Sequence, residues 1–303
     1  MVEHAAHIRS VKGSSPLAAT MDKRAVLVTG ASSGIGKESV LLLARHGFRV
    51  FAGVRKAEDG QALVKAADGS LTPILIDVTD AASIGSAAAT VRASLHDDES
   101  FSLVNNAGIA VAAPLELLPV EELRRQFDVN VFGQVAVTQA FLPLLRLHRG
   151  RIVFMGSLFG RIAPPLVAPY CAAKFAIEAL ADAFAVELWP WKISVSLLEP
   201  GNIATPIWDK SKHTIAAAYG ESAPETRELY KDTQGSMLRL ADWFGKAGIT
   251  PQKVAHVVVK ALCARRPRTR YLVGWDAKFL GTLVPLSPDR LRYWVMRRII
   301  APR

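Results

Sequence analysis

Thr29-Gly30-Ala31-Ser32-Ser33-Gly34-Ile35-Gly36 is the stretch on which the reading of this chain turns. It follows Ala25–Thr29, a short β-branched and apolar run, and leads into Ile35 to His46, which reads as a helix stopped by Gly47. A strand, a glycine-rich turn and a helix form the opening unit of a sheet whose first helix points its N-terminus at a ligand. Glycine suits such a turn because it permits positive φ and lets backbone approach backbone or a phosphate. The spacing is G-x-x-x-G-x-G, not G-x-G-x-x-G, so alone it also fits a turn without a ligand. With a ligand, Gly30, Ser32, Ser33, Gly34, Ile35 and Gly36 are the residues expected at a dinucleotide pyrophosphate.

Working outward, Phe48–Val54, Leu71–Ile76, Phe101–Asn105, Arg151–Met155 and Ile193–Leu198 read as further strands. Helical segments are expected near 81–95, 118–147 and 167–189. Apolar strands alternating with helices predict an α/β fold: one doubly wound parallel sheet of Rossmann type with helices on both faces. Residues 202–248 are too long for an ordinary connection and are expected to form a lid or substrate loop. The expected organisation is a loose leader over 1–20, a Rossmann-type domain over 21–275 that includes the lid, and a basic amphipathic extension over 276–303. Met21 is an alternative start.

Composition narrows the function. Of 303 residues, half are hydrophobic and 21% are charged, which suits a folded globular chain. No apolar run reaches the length of a membrane span, and the first 20 residues lack the apolar core of a secretory signal. Two cysteines, Cys171 and Cys263, make no disulfide framework, and Cys171 is expected to pack rather than react. No metal site is expected, and a cytoplasmic setting is the simplest. His96 and His148 are expected at the surface or as helix caps. The net charge of +10 is concentrated: Arg265–Arg303 holds ten basic and two acidic residues. The rest is nearly balanced, which disfavours nucleic acid as a partner.

The chemistry-bearing residues lie after the strands. The second strand ends Val54-Arg55-Lys56, with no acid to bind a ribose 2′-hydroxyl. Arg55 would welcome a 2′-phosphate, which favours NADP(H) over NAD(H), though Arg55 also fits a solvated strand end. Asp77 and Val78 follow the third strand, where Asp77 can accept from an adenine amino group. Asn106, Ala107 and Gly108 close the fourth, where small residues let a cofactor lie on the backbone. Tyr170 and Lys174 share one helix face at i and i+4. A nearby ammonium and a cationic ring favour the phenolate, making Tyr170 a candidate acid/base. Ser157 sits at the sheet edge where open α/β folds bind ligands, within reach of the same reacting oxygen. Asn130, in Phe127-Asp128-Val129-Asn130, reads either as an exposed helix residue or as a buried amide that needs partners.

Taken together, TGASSGIG, DV at 77–78, NNAG at 105–108, Asn130, Ser157, YCAAK at 170–174 and EPGNIATP at 199–206 resemble the short-chain dehydrogenase/reductase family, from about Arg24 to Pro206. The resemblance implies an NAD(P)-dependent oxidoreductase of CH–OH groups. It implies Tyr170 as general acid/base and Lys174 as the group that binds the nicotinamide ribose and lowers the Tyr170 pKa. Ser157 would hold the substrate oxygen, and Asn130 a water that relays protons from Lys174. Pro200, Gly201 and Thr205 would contact the nicotinamide end, and Ile203 its amide. It also implies a homo-dimer or homo-tetramer built on the two long helices.

Gly156 to Gly201 and the long C-terminus are similar to the hydroxysteroid and retinol dehydrogenase branch. The implied substrate is a hydrophobic alcohol, ketone or aldehyde of steroid, retinoid or lipid type. Leu158, Phe159, Ile207 and Trp208 are the expected wall. Ile215, Tyr219, Tyr230, Met237, Leu240, Trp243 and Phe244 either extend it or form the core of lid helices. His213 reads as an exposed lid residue or a distal substrate contact. A 3-oxoacyl-thioester reductase and a non-catalytic NADP(H)-sensing protein are the alternatives. Pro288 to Ile300 can form a helix with Leu291, Trp294, Val295 and Ile299 on one face, suited to an anionic membrane, the sheet domain or another subunit.

Overall fold

The computed structural model describes residues 24–300, apart from 233, 237, 240, 241 and 243–247. Seven strands form one parallel sheet: β1 (Arg24–Val28), β2 (Arg49–Val54), β3 (Leu71–Leu75), β4 (Ser100–Asn105), β5 (Arg151–Met155), β6 (Ser194–Pro200) and β7 (Arg270–Val273). The spatial order is β3-β2-β1-β4-β5-β6-β7. The order reverses between β1 and β4, which pair from Arg24↔Ser100 to Val28↔Val104. In doubly wound sheets that reversal opens a crevice at the carboxyl ends of the strands.

Alternation along β1 feeds two cores. Ala25 and Leu27 face α3 (Ala81–Ser94), α5 (Gly133–Leu147) and α6 (Ala168–Glu187). Val26 and Val28 face α1 (Gly34–Arg45), α2 (Ala57–Ala66) and α9 (Pro251–Cys263). Fully buried Phe101 and Phe141 stack with centroids 5.8 Å apart, and Phe154 stacks on Phe184 at the same distance. Truncating such a ring to alanine costs about 3–5 kcal/mol. A third apolar cluster, around Leu158, Cys171, Ile215 and Tyr219, joins the lid to the catalytic end of α6.

Each expected strand is present, within two residues at each end. The seventh strand and helices α2 and α9 had no counterpart in the sequence reading. The segment expected as one helix over 118–147 is divided: α4 (Val120–Phe127), a π-turn (Asp128–Phe132) and α5. The 202–248 segment is mainly helical where described, with α7 (Ile207–Glu221) and α8 (Pro224–Leu229). After β7 come α10 (Trp275–Leu283) and α11 (Asp289–Ile300). His148 caps α5 as expected but is buried, its Nδ1 2.7 Å from the Glu99 carbonyl. Cys171 is buried and its thiol is pushed up to about 12 by burial, as a packing residue requires.

Candidate active site

At the end of β1 the glycine turn folds tightly. Gly30 and Gly34 have φ of 65° and 55°, the region that favours glycine. A Cβ on Gly36 would lie 2.3 Å from the Gly30 carbonyl oxygen, so α1 can start there only without a side chain. Asn106 braces the turn from β4: its Nδ2 donates to the carbonyls of Thr29 (2.9 Å) and Gly30 (3.1 Å). Thr29 Oγ1 accepts from the amides of Asn106 and Ala107, each at 3.0 Å. Ser33 precedes α1 with extended backbone and no side-chain cap, leaving the amides of the first turn for an anion.

Arg55 is exposed at the end of β2. Asp77 accepts from the Thr79 amide (2.9 Å) and hydroxyl (2.7 Å), both through Oδ1. These bonds, the amide first, hold its carboxyl below the ordinary range, and Arg55 adds to the effect.

The strand β5 ends at Met155. Gly156 follows because a Cβ there would meet Leu197 and the Leu198 carbonyl at 3.0 Å. Ser157 then opens a short turn, Leu158–Gly160, accepting from the Phe159 amide at 3.1 Å. Its hydroxyl is also hydrogen-bonded to that of Tyr170. The helix α6 starts with proline in its first turn, a favoured place, and its alanine-rich body carries Tyr170 and Lys174 on one face. Lys174 Nζ lies 5.5 Å from the Tyr170 ring centroid, and the Phe159 ring meets Tyr170 edge-on at 6.3 Å.

Burial governs the acidity of both groups. The Tyr170 hydroxyl is pushed up to about 12 by burial, against the bond from Ser157. The Lys174 ammonium is brought down to about 8 by burial, against the charge of Glu178. A lowered phenol pKa was expected from the lysine together with an oxidised nicotinamide ring; among the protein's own groups burial raises it, and the Ser157 bond is what opposes the rise.

Asn130 lies in the π-turn and is fully buried, which settles the open question in favour of the buried amide. Its Oδ1 accepts from the Ile109 amide (2.9 Å) and its Nδ2 donates to the Ile109 carbonyl (3.0 Å). The side chain therefore pins the loop after β4, and a water relay would fall to the main chain of the turn. Beyond β6, Gly201 leads to Ile203, which bridges to Ile249. Thr205 Cγ2 would be 3.4 Å from a Cβ on Gly34, so the segment after β6 packs against the glycine turn.

Gly30, Ser32 to Gly36, Arg55, Asp77, Asn106, Ala107, Asn130, Ser157, Tyr170, Lys174, Gly201, Ile203 and Thr205 border one cleft of about 1190 Å³, together with Val78, Gly108, Pro200, Leu158, Phe159 and Ile207. Such a volume suits a dinucleotide with a substrate beside it. The residues fit that cofactor on a further observation: both amide atoms of Asn202 are buried with no hydrogen-bond partner among the described residues, at the end where the nicotinamide would lie.

The Trp208 and His213 side chains and Met237, Leu240, Trp243 and Phe244 lie outside the described residues. Ile215 and Tyr219 are buried in the lid's own core and do not border the cleft, so for them the core reading holds. Sequence reasoning missed Asn202 and the contribution of the C-terminal helices. Trp275, Leu283, Leu291, Val295 and Met296 close the outer end of the cleft. The apolar face noted in Pro288 to Ile300 was the available signal.

Residues 24–216 match the family model described as short chain dehydrogenase. The chain is 38% identical to a 3-amino-tetrahydro-pyrrolizinone reductase from Xenorhabdus hominickii, over 85% of this chain and 89% of that one. It is 33% identical to retinol dehydrogenase 5 from Mus musculus, over 90% and 89%. A crystal structure of a short-chain dehydrogenase from Streptomyces avermitilis superimposes with a TM-score of 0.70 at 28% identity, covering 89% of this chain and 95% of that one.

Proposed function

Since the chain belongs to the short-chain dehydrogenase family, and is an NAD(P)-dependent oxidoreductase of CH–OH groups, we propose that it interconverts a bulky hydrophobic alcohol and its ketone or aldehyde. The observation that carries this reading is the position of Ser157, Tyr170 and Lys174 at the inner end of a cleft whose outer wall is apolar.

In this reading Tyr170 gives a proton to the substrate oxygen in reduction and takes it in oxidation, while Ser157 holds that oxygen. Lys174 binds the ribose hydroxyls and, with its ammonium, favours the phenolate. The nicotinamide supplies or accepts the hydride. The Tyr170 hydroxyl, raised by burial, would be brought down by the positive charge of an oxidised ring bound beside it. Pro200, Gly201, Ile203 and Thr205 hold the nicotinamide end, and the main chain around Asn130 holds a water that returns protons to Lys174. Gly30 to Gly36 bind the pyrophosphate, Asp77 and Val78 the adenine, and Asn106 to Gly108 the adjoining ribose. Leu158, Phe159, Ile207 and Trp208 face the substrate.

NADP(H) is the preferred cofactor, because Arg55 is exposed where an acid would select NAD(H). One relative is named a retinol dehydrogenase, which supports a retinoid- or lipid-like substrate; another is named a 3-amino-tetrahydro-pyrrolizinone reductase, which supports the reductive direction. NADPH oxidation across a panel of bulky ketones, retinal and a 3-oxoacyl thioester tests the reading. Turnover of the apolar carbonyls is expected. Turnover of the thioester alone supports the acyl-thioester alternative, and tight NADPH binding without turnover supports a sensor.

The C-terminal helices favour a peripheral contact with an anionic membrane. Among the described residues no helix is long and apolar enough to cross one. Yet Trp275, Phe279, Leu286 and Trp294 are more than half exposed beside Arg290, Arg297 and Arg298. A full-length protein that stays in the supernatant with anionic liposomes at low salt rejects this contact. Exposed Phe132, Leu147 and Val186 mark the two long helices as the surface for a homo-oligomer.

A further inference from the structure

Beneath the catalytic pair, a second charged cluster joins elements that are remote in sequence. Arg161, in the turn after β5, forks onto the carboxylate of Glu199 in β6, with Nη2 donating to Oε2 at 3.0 Å and Nε donating to Oε1. The Glu199 carboxylate is completely buried. Arg161 Nη1 also donates to the Gly281 carbonyl of α10 at 3.3 Å. From β7, Arg270 donates to Glu178 Oε2 through Nε (3.2 Å) and Nη2 (3.0 Å), and to Asp182 Oδ2 at 2.8 Å. Glu178 lies on α6 one turn beyond Lys174. Its other oxygen, Oε1, is buried and receives no donor from the described residues. The carboxyls of Glu178 and Glu199 are hydrogen-bonding neighbours.

Two ionised carboxylates are both acceptors and repel each other; they form a hydrogen bond only when one carries a proton. The charges agree. Arg161 and Arg270 face Glu178, Glu199 and Asp182, two cations against three carboxylates. The Lys174 ammonium points away, to the Met155 carbonyl. We propose that Glu178 and Glu199 hold one proton between them, and that Glu178 is thereby a positioning residue for the Ser157–Tyr170–Lys174 site.

The placement explains the second half. Gly160, three residues after Ser157, rests directly on Glu178: a Cβ there would be 3.0 Å from Glu178 Cγ and 3.1 Å from Oε1. The carboxyl is the floor on which the serine turn sits. Burial first, then the charge of Glu199, pushes the Glu178 carboxyl up to about 7, against the pull of Arg270. When Glu178 ionises, its charge favours the Lys174 ammonium. The pair thus keeps Lys174 charged as pH rises, when burial alone would discharge it. This second half rests on the site reading above; the shared proton does not.

Carbon-13 NMR titration of the full chain, labelled at glutamate δ-carbons, tests the proton. One glutamate is expected to titrate near neutrality; that transition should vanish in Glu178→Gln and move to lower pH in Glu199→Gln. If every glutamate titrates in the ordinary carboxyl range, the shared proton is wrong. NADPH affinity against pH tests the positioning without requiring turnover. In Glu178→Gln the alkaline loss of affinity should move to lower pH, while affinity at pH 6 stays within about twofold. A uniform loss at every pH overturns the positioning role, and so does an unchanged profile. Failure on the ketone panel would instead remove the proposed substrate class and leave both of these readouts intact.

Discussion

The ammonium of Lys174 donates to the main-chain carbonyl of Met155 at 2.6 Å, which ties the catalytic helix to the last residue of β5. The contact holds Lys174 beneath Tyr170 before any ligand binds, so part of the ordering is built into the fold. It also explains how a cation is tolerated at 4% exposure.

That burial has a consequence for stability. The Lys174 pKa falls from its ordinary value of 10.5 to about 8 in the folded chain. A base with a depressed folded pKa binds fewer protons folded than unfolded between these values, so its penalty is full below pH 8 and fades as pH rises toward 10.5. Lys174→Met lacks the penalty. Its melting temperature relative to the parent is therefore expected to fall between pH 8 and pH 10. A difference that does not change over this window would show that the ammonium is not depressed.

Tyr170→Phe removes one oxygen and leaves the Phe159 edge contact in place. General acid–base catalysis contributes about 10²–10⁴-fold, and turnover of a good ketone should fall by at least that much. NADPH binding should change by less than about threefold, because the phenol is not among the groups that hold the pyrophosphate. Steady-state rates together with nicotinamide fluorescence titration measure both. Undiminished turnover would take the proton transfer away from Tyr170.

The parts legible in the sequence are those coded by short spacing. G-x-x-x-G-x-G compels a turn because Gly36 meets the Gly30 carbonyl, and Tyr-x-x-x-Lys puts two side chains on one face wherever a helix forms. Strands β1, β2, β4, β5 and β6 were legible because apolar runs buried on both faces are continuous, and the largely exposed edge strand β3 from its short apolar run alone. Three things were not. The seventh strand, Arg270–Val273, is four residues long and half of them are only partly buried, so it carries no such run. The π-turn at Asp128–Phe132 is a local change from i→i+4 to i→i+5 bonding, for which the apolar pattern of so short a segment gives no signal. Arg161, Glu178, Glu199 and Arg270 span more than a hundred positions and meet only because β5, β6 and β7 are neighbours. Their partnership is tertiary, and each alone reads as an ordinary surface charge.

Cofactor choice gives a charge-based prediction. Arg55 is the exposed cation at the β2 edge, and a 2′-phosphate there would form a charge-assisted hydrogen bond worth about 1.5–3 kcal/mol. Arg55→Ala is expected to raise the NADPH Kd about 10-fold or more and to leave NADH within about twofold. Equal losses for the two cofactors would mean that Arg55 does not read the phosphate. Because a solvated pair is screened, the NADPH advantage of the parent should also shrink in high salt.

The outer end of the cleft is the part most open to a direct test. Leu291, Val295 and Met296 of α11 border it, whereas Ser157, Tyr170 and Lys174 lie on elements that α11 does not support. The helix carries no strand of the sheet, and its Trp294 and Tyr293 are mainly exposed, so its loss should leave the core standing. A chain ending at Ser287 is therefore expected to fold with a melting temperature close to the parent's. A small ketone that reaches only Ser157 and Tyr170 should keep its kcat/KM. A bulky apolar ketone should lose about tenfold, mainly through KM, because burying its far end against three aliphatic side chains stabilises the complex before as well as during the reaction. If both ketones lose equally, α11 acts on the fold and not on the substrate. If neither changes, the apolar wall at this end takes no part in recognition, and the preference for a bulky substrate must reside in Leu158, Phe159 and the lid.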